Sequence, residues 1–348
     1  MRRNWLLWLR RYWLLILVMI AFIVFLIIGF QDIERVVAAL LQGLWPWVLA
    51  ATLTQSVYYL LYAVQYRLAF ATVEVQSQLG ELVPVMFASI FLRTVVPSGG
   101  VSGAALFIDD AARRGQSPAR AAEGALLVLT IDLGTMVPLI LYALAYLSLR
   151  GSLRAYEVLG SAIFVLFVGG LVGALLLGRW QPGLLRRLFG WLETAANWLA
   201  HQFGRSDLLP PGWGRGTAAD LTRAANDVAT HKERLQRTVA VGFAAQLVNL
   251  VTVEAVARAY RQPLSFGALV ASFSLEAVFS VVTFIPHGLV VAEAVMVMVL
   301  TGLGIGLDTA VLITLVYRGL SVWLPLFVGF LLLRRVRTFG GGRRAGDA

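Results

Sequence analysis

The chain has 348 residues, of which 59% are hydrophobic and only 14% are charged, whereas about one quarter of a typical soluble domain is charged. It contains no cysteine, which excludes disulfides, thiolate metal sites and cysteine nucleophiles. The three histidines form no HExxH pair and no GxxxxGK loop is present, so neither a metal, a cofactor nor a catalytic residue is predicted.

The formal net charge is +10, and nearly all of the positive charge comes from arginine. The basic residues cluster at the ends of long apolar runs, which is the pattern of membrane proteins that keep positive charge on the cytoplasmic side. A nucleic-acid partner is therefore not expected.

Six apolar segments are long enough to cross a membrane as helices, because about 20 apolar residues span the hydrocarbon core. The clearest contain no charged residue over 13–30 and 158–178. The first begins like a signal peptide, but no small-residue cleavage site follows it, so a retained span is predicted. The predicted spans are 12–30, 45–66, 121–149, 158–178, 238–257 and 309–333.

Four further apolar segments form two pairs, each interrupted by proline and glycine. Residues 82–96 and 101–112 flank Pro97-Ser98-Gly99-Gly100, and residues 267–285 and 289–302 flank Pro286-His287-Gly288. Most of these segments are too short for an ordinary span, and a broken helix at membrane depth requires cover by protein or water. The sequence predicts two re-entrant helix-break-helix hairpins in an all-α, polytopic membrane bundle.

The two hairpins predict inverted repeats over about 45–149 and 238–333, with chance recurrence of proline and glycine as the alternative. The spacing from Pro97 to Gly115 equals that from Pro286 to Gly304. With both termini inside, the predicted inside segments carry 22 Lys and Arg residues and the outside connections carry 5. This topology turns the repeats in opposite directions, which is typical of secondary transporters.

A polar segment, 179–237, lies between the repeats. Its apolar residues Leu184, Leu188, Trp191, Leu192, Ala195 and Leu199 share one helical face, and Arg186, Arg187 and Glu193 lie off it. This pattern predicts an interfacial amphipathic helix on an anionic leaflet. The integral membrane domain is predicted over 1–335, and residues 336–348 are predicted to be a disordered tail.

Charged side chains inside membrane spans are expensive and are candidates for a functional site. They are Arg93, Asp132, Glu276, Glu293 and Arg318. We expect Arg318 to face the interior and to pair with Glu293 or Asp132. Salt bridges that only hold the bundle together are the alternative. Nearer the span ends, Asp109, Asp110, Glu123 and Glu254 are expected to be solvated.

The broken helices add donors for an anion. Main-chain N–H groups after Gly100 and Gly288 begin the second half-helices and attract negative charge. A guanidinium one turn before Pro97 suits phosphate, and the glycines permit a tight break and close helix approach. The predicted site for an anionic headgroup contains Arg93, Pro97, Gly99, Gly100, Gly103, Asp132, Glu276, Pro286, His287, Gly288, Glu293 and Arg318.

Two stretches resemble the lysylphosphatidylglycerol synthase transmembrane-region family over about residues 10–335. They are Arg93-Thr-Val-Val-Pro97-Ser-Gly-Gly-Val-Ser-Gly103 with Asp132, and Phe284-Ile-Pro286-His-Gly288-Leu-Val-Val-Ala-Glu293 with Tyr317-Arg318-Gly319. The resemblance implies a flippase-like protein that moves or binds lipid. It is expected to stand alone, without the soluble domain that aminoacylates lipid in the full-length synthase.

The leading hypothesis is a lipid transporter of the cytoplasmic (inner) membrane that is not an enzyme. The alternatives are a membrane-embedded transferase acting on lipid-linked sugar, with Asp132 or Glu293 as base, and a scaffold for a separate envelope-lipid enzyme. The expected partners are membrane lipids, either phospholipid or lipid-linked glycan, together with a second copy of the chain or a separate lipid-synthesising enzyme.

Overall fold

The computed structural model describes residues 30–95, 101–202, 206–283 and 290–333. Helices make up nearly all of these ranges, and no strand occurs within them. The predicted all-α class is therefore confirmed. The first predicted span up to residue 29, the predicted tail, and the breaks with Pro97, Gly99, Gly100, Pro286, His287 and Gly288 lie outside the described residues.

The first half of the chain contributes helices α1 to α5. They are α1 (Phe30–Gln42), α2 (Trp45–Thr72), α3 (Leu79–Val95), α4 (Val101–Arg113) and α5 (Pro118–Leu149). The start of α5 follows from its sequence, because the hydroxyl of Ser117 accepts a hydrogen bond from the N–H of Arg120 and Pro118 occupies the first turn.

The rest of the chain contributes helices α6 to α13. They are α6 (Ala155–Trp180), α7 (Pro182–Gln202), α8 (Trp213–Thr230), α9 (Lys232–Ala259), α10 (Phe266–Val282), α11 (Val291–Gly302), α12 (Leu307–Arg318) and α13 (Leu324–Leu332). A π-helical turn, Gly319–Trp323, joins α12 to α13, so that Leu307–Leu332 forms one continuous helix.

Within the described ranges, five helices are long and apolar enough to cross a membrane: α2, α5, α6, α9 and Leu307–Leu332. On α6, Leu159 and Leu166 are 64% and 74% exposed. A large apolar surface of this kind is stable against lipid but not against water. The protein is therefore a multi-pass membrane protein, and five of the six predicted spans are confirmed as helices of sufficient length.

The connections between helices gather at two ends of the bundle. At one end, Arg120 Nη1 lies 2.6 Å from Glu74 Oε2, which joins the first turn of α5 to the connection before α3. At the other end, the N–H of Leu44 donates to the carbonyl of Ala259 at 2.9 Å. This grouping agrees with the predicted division of the connections between two membrane faces. The assignment of the Arg120 end to the cytoplasm stays a prediction.

The predicted hairpins correspond to two helix pairs, α3 with α4 and α10 with α11. The first pair starts and finishes at the same end of the bundle, because Arg114 Nη1 lies 2.9 Å from Glu81 Oε2 in the first turn of α3. Gly103 allows the two helices to approach closely, since a Cβ at this position would lie 2.7 Å from the hydroxyl of Ser89. The predicted close approach at Gly103 is confirmed, whereas re-entry of the pairs into the membrane stays a prediction.

Each helix pair packs against the last helix of the opposite half of the chain. α3 contacts α13, where a Cβ at Gly329 would lie 2.2 Å from the carbonyl oxygen of Phe87. α10 contacts α5, and Leu275 and Leu147 share one buried cluster there. The helix lengths also recur, with 28, 17, 13 and 32 residues in α2 to α5 and 28, 17, 12 and 26 residues from α9 to the end of α13. Inverted repeats produce a reciprocal arrangement of this kind.

The predicted amphipathic segment 179–237 contains two packed helices, α7 and α8, where one was expected. α7 exposes its predicted apolar face, including Trp191, which is 65% exposed. The carboxylate of Glu193 joins the helices by accepting hydrogen bonds from the N–H groups of Gly212 (2.9 Å) and Gly214 (2.7 Å), which lower the pKa of Glu193. The second helix, α8, is rich in alanine and glycine. Its apolar face is therefore weak, and the helix was not predicted from the sequence.

Candidate functional site

Arg318 is the centre of a buried charged group. Its Nη1 lies 2.7 Å from Glu276 Oε1, and its Nε lies 3.4 Å from Glu293 Oε1. The side chains of Arg318 and Glu276 are 4% and 6% exposed, whereas that of Glu293 is 25% exposed. We call these three residues the Arg318 cluster. The predicted pairing of Arg318 with Glu293 is confirmed, but Glu276 is the closer partner and the alternative partner Asp132 belongs to another group.

A π-helical turn follows Arg318 directly. The N–H of Leu324 donates to the carbonyl of Gly319, five residues earlier, so the helix widens by one residue at this point. Such turns recur within α-helices at functional sites. The widened turn lies between α12, which ends at Arg318, and the apolar α13.

Arg93 and Asp132 form a second charged group, at the junction of α3, α5 and α9. Gln246 Nε2 donates to Asp132 Oδ1 at 3.1 Å. Arg93 interacts electrostatically with Asp132, but no direct salt bridge joins Arg93 to a carboxylate in the described part of the chain. The Nε of Arg93 is buried and has no hydrogen-bond partner among the described residues. This group therefore contains a guanidinium whose hydrogen-bonding capacity is incompletely used.

Three tyrosines of α2 lie near Arg93 and Asp132. Tyr58, Tyr62 and Tyr66 follow one another at intervals of one helical turn, and each interacts electrostatically with both charged residues. The rings of Tyr58 and Tyr62 stack with centroids 6.0 Å apart. Their rings supply an apolar wall and their hydroxyls supply hydrogen-bonding groups beside the charges.

Tyr317 connects the two charged groups. It immediately precedes Arg318, and it interacts electrostatically with Glu276 on one side and with Tyr58 on the other. The five charged residues predicted for the site thus lie in one interior region, divided into the Arg318 cluster and the pair Arg93 and Asp132. In the described part of the chain, no three histidine or carboxylate side chains are grouped as metal ligands.

Four uncharged amides near this region were not predicted from the sequence. Gln55 and Gln65 on α2 and Gln246 and Asn249 on α9 are all buried. Only charged side chains were considered as candidates, although an uncharged amide inside an apolar span is itself a detectable signal in the sequence.

Two carboxylates near the span ends are buried, contrary to expectation. Asp110 is 5% exposed at its side chain and lies 2.8 Å from Arg114 Nη2, and Glu123 is 4% exposed and lies 3.7 Å from Arg223 Nε. Arg223 belongs to α8, which covers the beginning of α5 and which the sequence did not predict. Asp109 is 40% exposed, as expected.

The model of the family described as "Lysylphosphatidylglycerol synthase TM region" matches residues 13–329. The chain belongs to this family. The match includes both helix pairs and both charged groups, and it confirms the resemblance seen in the sequence. A search of curated proteins found no match. Membership of the family associates the protein with membrane lipids.

Proposed function

We propose that this family member moves the headgroup of a phospholipid or a lipid-linked glycan across the cytoplasmic membrane. Family membership supports a lipid-related function. Five long apolar helices support a site of action within the bilayer. The interior charges supply what a polar headgroup needs at that depth, because a charge in an apolar medium requires opposite charge and hydrogen-bond donors around it.

The state of Arg93 is the observation on which this proposal depends. An arginine stays charged under all physiological conditions, and a charge at membrane depth is expensive unless an anion compensates it. The buried Nε of Arg93 has no hydrogen-bond partner among the described residues. A lipid phosphate supplies both the compensating charge and acceptors for the planar donors of the guanidinium.

The Arg318 cluster provides a second cation whose partners can be exchanged. Glu276 and Glu293 neutralise Arg318 when no headgroup is bound. Glu293 is the partner that a phosphate displaces first, because its contact is longer, at 3.4 Å, and its side chain is more exposed. We further propose that these carboxylates balance charge and do not act as catalytic bases, so that the protein is a transporter and not a transferase.

The two helix pairs and their reciprocal packing support an alternating route. We propose that α3–α4 and α10–α11 are re-entrant and belong to inverted repeats. In such transporters one repeat rocks against the other around a central site. We also propose that both termini and the Arg120 end face the cytoplasm, because the predicted segments of that side carry most of the Lys and Arg residues.

The lipid that co-purifies with the protein tests this proposal. Mass spectrometry after mild detergent extraction is expected to find a phosphate-bearing lipid on the wild-type protein and much less of it on Arg93→Ala. Arg150→Ala is the control, because Arg150 is an exposed arginine just after α5. Equal lipid content in the wild type and Arg93→Ala would show that the lipid phosphate does not bind at Arg93.

A further inference from the structure

Helices α2 and α9 run antiparallel along each other through the centre of the bundle. Thr54 and Thr252 face each other with hydroxyl oxygens 2.9 Å apart, and Gln65 faces Gly242 eleven residues further along α2. We call the buried strip between these two contacts the seam. Thr54, Gln65 and Thr252 line it, Asn249 lies three residues before Thr252 on α9, and Gln55 follows Thr54 on α2.

The seam contains a group of buried polar atoms whose hydrogen-bonding capacity is incompletely used. Gln55 and Gln65 are 0% exposed, and neither the nitrogen nor the oxygen of either amide makes a hydrogen bond of standard distance and angle within the described residues, although Gln55 interacts with the hydroxyl of Tyr59. Asn249 Oδ1 makes no such bond either, although the Asn249 side chain interacts with the hydroxyl of Tyr58. Buried polar atoms in native proteins nearly always have a partner, either protein or ordered water. Five such atoms along one strip therefore indicate a ligand that both donates and accepts hydrogen bonds.

The geometry of the seam restricts that ligand to a small one. At Gly242, a Cβ would already lie 3.0 Å from Gln65 Nε2 and 3.0 Å from Ile131 Cγ2. A headgroup does not fit into so narrow a strip, whereas a water molecule requires little volume and makes about three hydrogen bonds to buried polar groups.

The seam also adjoins both charged groups. On α9, Gln246 lies one turn from Gly242 and donates to Asp132 Oδ1. On α2, Tyr59 lies one turn from Gln55 and donates to the carbonyl of Leu320, two residues beyond Arg318. From Gln55 to Gln65 the helix rises about 15 Å, which is about half of the hydrocarbon thickness.

We propose that the seam binds a row of ordered water molecules that hydrates the interior between the pair Arg93 and Asp132 and the Arg318 cluster. The amides of Gln55, Gln65 and Asn249 hold this water by donating to it and accepting from it. The water keeps the two charged groups in contact with a polar medium at membrane depth. The proposal concerns hydration alone and does not depend on lipid transport.

The absence of cysteine from the chain allows a direct test with single cysteines in native membranes. We compare Gln65→Cys with Leu60→Cys on the same helix, where Leu60 is 54% exposed on the outside of the bundle. A short X-ray pulse splits water into hydroxyl radicals in place, including ordered water inside the protein, so that a thiol is oxidised where water lies against it and no reagent has to enter. The buried position 65 is therefore expected to be oxidised at least about tenfold faster than the outward-facing position 60, which contacts acyl chains.

A seam without water removes this difference in reaction rate. If Gln65→Cys reacts no faster than Leu60→Cys, while both variants elute and unfold as the wild type does, the proposal is wrong. Gln55→Cys repeats the measurement at the other end of the seam, so that misfolding of one variant leaves the test intact. Because the readout is thiol modification, a protein without any transport activity gives the same result if the seam is hydrated.

Discussion

The hydroxyl of Tyr59 donates a hydrogen bond to the main-chain carbonyl of Leu320, 2.9 Å away and 261 residues further along the chain. In the π-helical turn after Arg318, the carbonyl of Leu320 would pair with the residue five positions later. That residue is Pro325, which has no N–H. At membrane depth an unpaired carbonyl must be satisfied from within the protein, and Tyr59 fulfils this need from the opposite half of the chain.

Replacing Tyr59 with phenylalanine removes this bond and leaves the carbonyl of Leu320 unpaired. We expect Tyr59→Phe to lose about 1–3 kcal/mol of stability, the usual cost of a buried unsatisfied group, and to unfold at a lower temperature in detergent. Tyr142→Phe is the matched control, since the ring of Tyr142 is 43% exposed. Identical unfolding temperatures for the two variants would show that the bond to Leu320 contributes nothing.

The contact between α3 and α13 depends on the absence of a side chain at Gly329. A Cβ there would lie 2.2 Å from the carbonyl oxygen of Phe87 and 2.8 Å from Phe91 Cβ, both of which are on α3. Gly329→Ala is therefore expected to force the helices apart and to cost about 1–3 kcal/mol. Gly170→Ala on α6 should have little effect, because nothing lies within 4 Å of its added Cβ. Thermal unfolding followed by size-exclusion chromatography compares the two, and equal loss would contradict the close approach.

The two carboxylates of the Arg318 cluster should differ in their effect on stability. Glu276→Gln removes the buried carboxylate whose Oε1 lies 2.7 Å from Arg318 Nη1. Disrupting a buried ion pair costs about 3–5 kcal/mol of stability. Glu293→Gln removes the longer, more exposed partner from a cluster with two carboxylates and one guanidinium, so we expect a change of at most about 1 kcal/mol. Thermal unfolding of both variants measures the order. A larger loss for Glu293→Gln would reverse the roles assigned here.

The proposed topology places Leu41 and Gly183 on opposite sides of the membrane. Leu41 lies near the end of α1 and is 66% exposed, and Gly183 lies at the start of α7. Alkaline phosphatase is active only outside the cytoplasm and green fluorescent protein is fluorescent only inside it. Fusions at Leu41 should therefore show phosphatase activity, and those at Gly183 should fluoresce. The same side for both positions would refute the topology.

The sequence predicted the spans because their hydropathy is a local property, but it made some of them too short. The second span was predicted over 45–66 and extends to Thr72, and the fifth was predicted over 238–257 and begins at Lys232. Both extensions contain polar residues that the neighbouring helices and connections support. Hydropathy does not register that support, because it depends on tertiary packing.

The charged part of the site could be predicted for a similar reason: the cost of a charge at membrane depth is visible in the sequence. Arg318, Glu276 and Glu293 were selected in this way, and the structure brings them together. The position of Glu276 as the closer partner could not be predicted, because it depends on how α10 is rotated against α12. Gln55 and Gln65 were not predicted, because only charged side chains were considered as candidates. What they face depends on the antiparallel register of α2 and α9, which is a product of tertiary packing.

Lipid translocation in reconstituted vesicles tests the central claim most directly. The protein is incorporated into vesicles with a fluorescent analogue of the lipid that co-purifies with it, and the rate at which the analogue becomes accessible to an impermeant quencher is measured. We predict that Arg93→Ala lowers this rate at least about tenfold, that Arg93→Lys restores it in part because a point charge lacks the bidentate fork, and that Arg150→Ala leaves it unchanged. If Arg93→Ala translocates lipid at the wild-type rate, Arg93 does not bind the headgroup and the interior charges serve only to hold the helices together.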